Sequence, residues 1–156
     1  MKKRVVACLL GVATVACGGS HAAAPTPLTP SQAVITATVT PNPVTSIVCS
    51  PSCVATSGTT YQFRAVGVLQ IQETAGVAAT VDSIVSGGLT YSSTDVTQRS
   101  GTNRVAAGGV LQFPLAFVYG PTANANAQRT TVFPIVVSVT DDRGNHVSGT
   151  VQWVTN

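Results

Sequence analysis

Strict alternation of apolar and polar side chains is the feature that most restricts how this chain can fold. It is clearest in TTYQFRAVGVLQIQET, residues 59–74, where one face carries Tyr61, Phe63, Leu69 and Ile71. Successive side chains of a strand point to opposite faces, so this pattern predicts a half-buried β-strand rather than a helix.

The same alternation recurs along the rest of the chain. Turn-rich segments separate the alternating stretches, and no amphipathic helix is predicted. About seven short strands with turn-rich gaps favour an all-β fold, namely an antiparallel β-sandwich. The further strands are predicted at residues 33–40, 77–86, 110–119, 131–140 and 145–155, with a short one around Tyr91.

Two prolines, Pro114 and Pro134, lie inside predicted strands. Proline donates no backbone hydrogen bond to a sheet, so it belongs at edges, strand starts or bulges. If the strands on either side of the 120–129 loop pair with each other, both prolines lie at one level of the ladder. We therefore predict a bulge or a local loss of pairing there.

The last two strands are predicted to form a hairpin through the sequence DDRGN. Asp141 begins the turn, and Gly144 occupies a position that favours positive φ. Asp141, Asp142 and Asn145 also bear oxygen atoms of the kind that Ca²⁺ prefers, but the cluster lacks the alternating Asp ligands and terminal Glu of an EF-hand loop. Turn chemistry accounts for these residues, so no metal site is predicted.

The N-terminus has the layout of an export signal. The cationic start MKKR precedes the apolar run Val5–Ala16, which is shorter than the roughly 20 residues that a membrane-spanning helix needs. Residues 1–16 are therefore predicted to be a signal peptide. Cleavage after Ala24, within an A-x-A pattern, is the alternative to cleavage before Cys17.

The residues around Cys17 resemble the lipobox of bacterial lipoproteins. Small residues precede this cysteine, and Gly18 and Gly19 follow it. The resemblance implies lipidation of Cys17, a membrane partner through the lipid anchor, and, from the glycine that follows, sorting to the outer membrane. Residues 17–31 are rich in proline, which favours an extended tether, and residues 32–156 form the predicted domain.

The remaining cysteines, Cys49 and Cys53, lie within CSPSC. A cysteine pair in an exported protein is expected to form a disulfide, which we place on the connection between the first two strands. A redox-active pair would need two intervening residues instead of three. A zinc site would need two further ligands, for which only His21 and His146 are available besides the acids.

Charge excludes one class of partner. Without MKKR the chain keeps five arginines and five acidic residues, and charged residues make up only 8% of the whole sequence. A nucleic-acid-binding domain normally shows a clustered cationic patch, so no nucleic-acid partner is expected.

Two segments resemble the immunoglobulin-like and fibronectin-III-like modules of bacterial exported proteins. They are TATVTPNPV, residues 36–44, and VVSVTDDRGNHVSGTVQWV, residues 136–154. The resemblance implies an Ig-like sandwich, in which loops at one end are the natural binding surface. The richest loop is predicted at residues 93–104, whose candidate binding residues are Asp95, Arg99, Asn103 and Arg104. The alternative for this segment is a solvated loop joined by an Asp–Arg contact.

No catalytic motif appears. The chain contains no G-x-S-x-G, no H-E-x-x-H and no phosphate-binding loop, so neither catalysis nor a cofactor is expected. We predict a cell-envelope lipoprotein that displays a non-catalytic domain for structural support or for binding a protein or a glycan. The alternatives are a secreted soluble enzyme or inhibitor cleaved after Ala24, and an assembly subunit that exchanges a strand through an edge such as residues 33–40.

Overall fold

Alternating side chains place the apolar residues between two antiparallel sheets. The computed structural model describes residues 31–55, 57–124 and 127–156. The packed sheets confirm the predicted all-β antiparallel sandwich. In the described residues the elements are β1 (Ile35–Thr40), β2 (Ile47–Val54), β3 (Thr60–Glu73), β4 (Ala79–Ser86), β5 (Leu89–Ser92), α1 (Ser93–Ser100), β6 (Arg104–Val105), β7 (Val110–Pro121), β8 (Val132–Asp141) and β9 (His146–Val154).

The long strand β3 organises the first sheet. Strands β1 and β2 pair with its two halves along one side, and β7 pairs along the other side. The second sheet has the order β5–β4–β8–β9, with β6 beside the first residues of β4. The largest fully buried side chains between the sheets are Trp153, Phe113, Leu69 and Ile71.

The predicted disturbance at the two prolines is wrong. Strands β7 and β8 lie in different sheets and face each other across the core, so they share no ladder. Pro114 lies in β7, an edge strand, in unbroken register with Val68. Pro134 lies opposite Gln152 and one residue beyond the last β8 residue that pairs with β4. Each proline thus stands where a missing donor interrupts little of the sheet.

The hairpin prediction at the chain's last turn is confirmed. Strands β8 and β9 pair antiparallel, and Gly144 has φ of 82°. The N–H of Gly144 donates to the Asp141 carbonyl at 2.9 Å, which closes the turn.

Residues 93–100, predicted to be a loop, form the helix α1. Ser92 caps it, because the Asp95 N–H donates to the Ser92 hydroxyl at 3.3 Å and the Ser92 N–H donates to the Asp95 carboxylate at 2.8 Å. Gly101 ends the helix with φ of 77°. The buried side chain of Val96 fixes α1 to the sandwich, and tertiary packing thus stabilises a helix too short to persist alone.

The cysteines form the predicted disulfide, but within β2 rather than on the connection between the first two strands. The Cys49–Cys53 bond spans the register shift that separates Val48 from Cys53 along β3. Strand β2 was not predicted, because the sequence IVCSPSCV alternates poorly and contains Pro51. The disulfide therefore closes a bulge in an edge strand.

One side of the sandwich is closed by the segment that follows β1. The Asn42 amide donates to the Gln152 carbonyl at 2.8 Å and its oxygen accepts from the Val154 N–H at 3.0 Å. The Trp153 indole donates to the Pro41 carbonyl at 2.9 Å. These contacts join the edge of β9 to the first sheet, so the core is covered on this side.

Two carboxylates hold the point where the chain enters the domain. Glu73 is fully buried, and its carboxylate accepts backbone N–H groups of Val34, Ala75, Gly76 and Gly108 at 2.7–3.2 Å. Burial raises the pKa of Glu73, but the four hydrogen bonds outweigh it and leave the pKa below its ordinary value.

Asp141, at the end of β8 in the second sheet, also binds the segment where the chain enters the domain. Its carboxylate accepts the Asn145 side-chain amide at 3.0 Å, the Ala33 N–H at 3.0 Å and the N–H groups of Arg143 and Asn145. The Asn145 hydrogen bond and these backbone donors outweigh the opposing effect of desolvation and lower the pKa of Asp141 to about 2.

Acid should therefore destabilise the domain in a defined window. The pKa of Asp141 falls from an ordinary 3.8 to about 2 on folding, so its contribution is complete above pH 3.8 and is lost as the pH drops through about 2. We expect the urea midpoint to fall across this range, with Glu73 acting in the same direction. Asp141→Asn should flatten the profile, and a slope equal to that of the parent protein would contradict the assignment.

Candidate functional site

A cleft of about 570 Å³ opens on the side of the sandwich opposite the closed one. It lies between two edge strands, β7 of the first sheet and β5 of the second, which do not pair with each other. Helix α1 packs against β7 and β4 and fills part of this side. The cleft is the part of the same side that α1 leaves uncovered.

Aromatic residues of the core form the floor of the cleft. The Phe117 and Phe133 rings pack against each other across the sheets, with their centroids 5.3 Å apart. Tyr91 packs edge-on against Phe113, with a centroid separation of 5.1 Å. Phe117 and Tyr91 are only 4% and 8% exposed, so little of either ring is open to the cleft. Val54 and Leu89, which also line the cleft, are 66% and 51% exposed.

Two of the predicted binding residues, Asp95 and Arg99, line this cleft. The Arg99 guanidinium lies over the Tyr91 ring, 4.9 Å from its centroid, and 6.0 Å from that of Phe113. Within the described residues it enters no salt bridge. The hydrogen bonds from the Ser92 hydroxyl and N–H lower the pKa of Asp95, so this carboxylate stays ionised while it caps the helix.

The other two predicted binding residues lie elsewhere. Arg104 binds both carboxylate oxygens of Asp142 at 2.9 and 2.6 Å, which joins β6 to the turn after β8. Asn103 accepts the Val81 N–H through its backbone carbonyl at 2.7 Å. These residues lie near the end of the sandwich where the chain enters, so the structure divides the predicted set into a cleft pair and a structural pair.

Backbone groups complete the cleft. In the part of the chain that the structure describes, β7 pairs with β3 alone, and its other edge is unpaired. The Glu73 N–H donates to the Gly109 carbonyl at 3.0 Å, so the odd-numbered residues of β7 direct their polar groups toward β3. The N–H and C=O groups of Ala116 and Val118 therefore face outward, toward the cleft that both residues line.

Several cleft residues escaped prediction from the sequence. Tyr91, Phe117 and Phe133 were assigned to strands, but nothing in their spacing indicates that two sheet edges meet beside them. The helix that places Asp95 and Arg99 had a local signal, since Ser92-x-x-Asp95 is a capping box and Gly101 follows at the C-terminal end.

The predicted N-terminal features lie outside the described residues. They are the signal peptide, Cys17 and residues 17–30 of the tether. Among residues 31–55, 57–124 and 127–156, no group of three or more His, Cys, Asp or Glu side chains is arranged to hold a metal ion. The same residues contain no helix that combines the length and apolarity needed to cross a bilayer.

Comparison with known proteins assigns no family to the chain. No protein-family model matches it, and no curated protein matches it significantly.

Proposed function

We propose that this protein is a cell-envelope lipoprotein whose Ig-like sandwich is a non-catalytic binding module, with the β5–β7 cleft as its binding surface. The lipid on Cys17 anchors the chain, and the outer membrane is its location. The partner is a protein or a glycan.

The single observation that supports binding is the composition of the cleft. An unpaired strand edge, exposed apolar side chains and an arginine held over an aromatic ring line one concavity. Ligand sites are usually concavities in which apolar side chains converge with a few placed polar groups, and this cleft contains both.

The disulfide supports export. Disulfides persist in oxidising compartments such as the bacterial periplasm and the cell surface, and the Cys49–Cys53 bond lies in the part of the chain after the predicted leader. The apolar run Val5–Ala16 also supports export, because it is too short to span a membrane and follows the cationic start MKKR.

The position of the cleft suits an anchored domain. The chain enters at Ser31, whose carbonyl accepts the Asn145 side chain, beside the Glu73 end of β3. Phe117, in the cleft, lies opposite Ala65, roughly 26 Å along β3 from Glu73. An anchor at Cys17 would thus leave the cleft on the half of the domain remote from the membrane.

Processing at Cys17 tests the anchor. We expect the full chain, expressed in a Gram-negative bacterium, to partition into detergent with an intact mass that begins at Cys17 and includes acyl chains. Two or more acyl chains hold a protein firmly, since each buried methylene contributes about 0.8 kcal/mol. Cys17→Ser should abolish acylation and detergent partition.

Cys8→Ser is the matched control, because it changes the other leader cysteine and should leave acylation intact. A water-phase product whose mass begins at Pro25 would contradict the anchor and favour cleavage after Ala24. The same mass spectrum reports the Cys49–Cys53 bond as a loss of two hydrogens.

A further inference from the structure

We infer that the cleft binds an extended segment of another protein, which adds as a strand to the outer edge of β7 and places a carboxylate side chain on Arg99. This inference rests on the proposed binding function and specifies its partner as an acidic peptide strand.

The aromatic floor argues against a saccharide. Sugar rings bind in proteins by stacking on open aromatic faces, whereas Phe117 and Tyr91 are 4% and 8% exposed. The Tyr91 ring is in addition covered by the Arg99 guanidinium at 4.9 Å. Phe117 and Tyr91 therefore offer apolar surface for side chains but no open stacking face, and only the half-buried rings of Phe133 and Tyr61 are left for a sugar.

The edge of β7 matches a peptide backbone instead. Ala116 and Val118 each present an outward N–H and C=O, and a strand ladder uses such groups at every second residue. The usable edge is short. Pro114 lacks a donor on one side of it, and on the other side Gly120, with φ of 66°, departs from the extended conformation near the end of β7. A partner segment of about three to five extended residues fits between them.

Strand addition also accounts for the exposed apolar side chains at the rim. Alternate side chains of an added strand would point into the cleft, toward Phe133, Val54 and Leu89. Large apolar side chains that are half exposed or more cost little when isolated, but grouped around a concavity they mark an interaction surface.

Charge complementarity selects an acidic partner. The Arg99 guanidinium is positioned over Tyr91, so its side chain is already ordered before a ligand arrives. A guanidinium provides a planar fork of donors that matches a carboxylate. Asp95 carries the opposite charge in the same cleft, but the helix cap holds its carboxylate through two hydrogen bonds from Ser92 to Oδ2. Among the described residues, by contrast, no hydrogen bond or salt bridge engages the Arg99 guanidinium.

A nine-residue fluorescent peptide of alternating threonine and valine with one central glutamate provides the probe. We expect saturable binding to the purified full-length protein by fluorescence anisotropy. The same peptide with glutamine should bind at least about tenfold more weakly, since it replaces the charge-assisted hydrogen bonds between carboxylate and guanidinium with weaker neutral ones. Arg99→Gln should abolish this preference, whereas Arg143→Gln, at an exposed arginine in the turn between β8 and β9, should retain it.

The strand edge is tested by proline. Ala116→Pro removes an outward donor of β7 and should weaken binding of the glutamate peptide at least tenfold. Ala37→Pro is the matched control, since Ala37 occupies the corresponding outward position of β1, the other edge of the same sheet. Thermal unfolding of both variants verifies that each is folded, as the tolerated Pro114 leads us to expect.

Three results would overturn the inference. The first is equal affinity for the glutamate and glutamine peptides, and the second is binding that Ala116→Pro leaves unchanged. The third is binding of an N-acetylglucosamine hexamer but of neither peptide, which would leave the proposed binding function standing with a glycan partner. A failure of acylation at Cys17 would concern the anchor alone and would not alter these affinities.

Discussion

Replacing Trp153 with alanine should lower the free energy of unfolding by about 3–5 kcal/mol, the usual cost of deleting a large aromatic side chain from a core. Trp153 is fully buried, and the centroid of its ring lies 5.5 Å from that of Phe117 and 6.3 Å from that of Phe133. Its indole N–H also donates a hydrogen bond to the Pro41 carbonyl, which helps to close one side of the sandwich. Urea unfolding followed by circular dichroism measures the loss, because the variant has no tryptophan fluorescence.

A neighbouring glycine provides an independent check of this packing. A methyl group on Gly67 would lie 2.8 Å from Cζ2 of the Trp153 ring, so Gly67→Ala should cost about 1–3 kcal/mol through overpacking. The same change in a Trp153→Phe background should cost less, because the smaller ring vacates that position. Additive effects in this double-mutant cycle would contradict the contact. Val85→Ala, at an exposed valine, should stay within about 0.5 kcal/mol of the parent protein.

Glu73→Gln should destabilise the domain by about 3 kcal/mol, although it removes only a charge. Each carboxylate oxygen of Glu73 accepts two backbone N–H groups. The glutamine NH₂ group would face two of these donors in either orientation of the amide. Buried donors left without an acceptor cost about 1–3 kcal/mol each.

The same urea titration measures this variant, and hydrogen exchange locates the damage. The amides of Val34 and Gly108 should exchange faster in Glu73→Gln than in the parent protein, because each loses or weakens its acceptor. Gln72→Ala, at the exposed neighbouring position of β3, should leave both stability and exchange nearly unchanged. A Glu73→Gln protein within 1 kcal/mol of the parent would show that the carboxylate contributes little.

The strands were predictable wherever one face of the sheet is buried. In β3, β7 and β8 the period of two follows directly from burial of every second side chain, so the pattern states the fold class. Strand β2 lies at an edge with both faces largely exposed, so burial imposed no alternation on it. Its disulfide could be predicted from the spacing of Cys49 and Cys53, but its position in a strand could not.

Sheet membership and the cleft were beyond local patterns. Strands β7 and β8 are neighbours in sequence with strong alternation, and sequential strands usually pair or lie side by side. The two strands lie in different sheets because β7 pairs along its length with the long strand β3. The cleft forms between the two sheet edges that stay unpaired on this side, β7 and β5, and no local sequence pattern predicts which strands become edges. Asp95 and Arg99 were predicted for their polarity, although the helix that brings them beside Tyr91 was not.

The course of β1 determines how the domain would respond to mechanical load. A pull between Ser31 and a partner seated at β7 would run parallel to the strands, whereas the β1–β3 hydrogen bonds lie perpendicular to them. Force in this direction shears all six paired positions of β1 at once instead of unzipping them one by one. The Glu73 and Asp141 carboxylates, which bind the Val34 and Ala33 N–H groups, would bear the first tension. The sandwich therefore resists extraction at the end where Ser31 enters it.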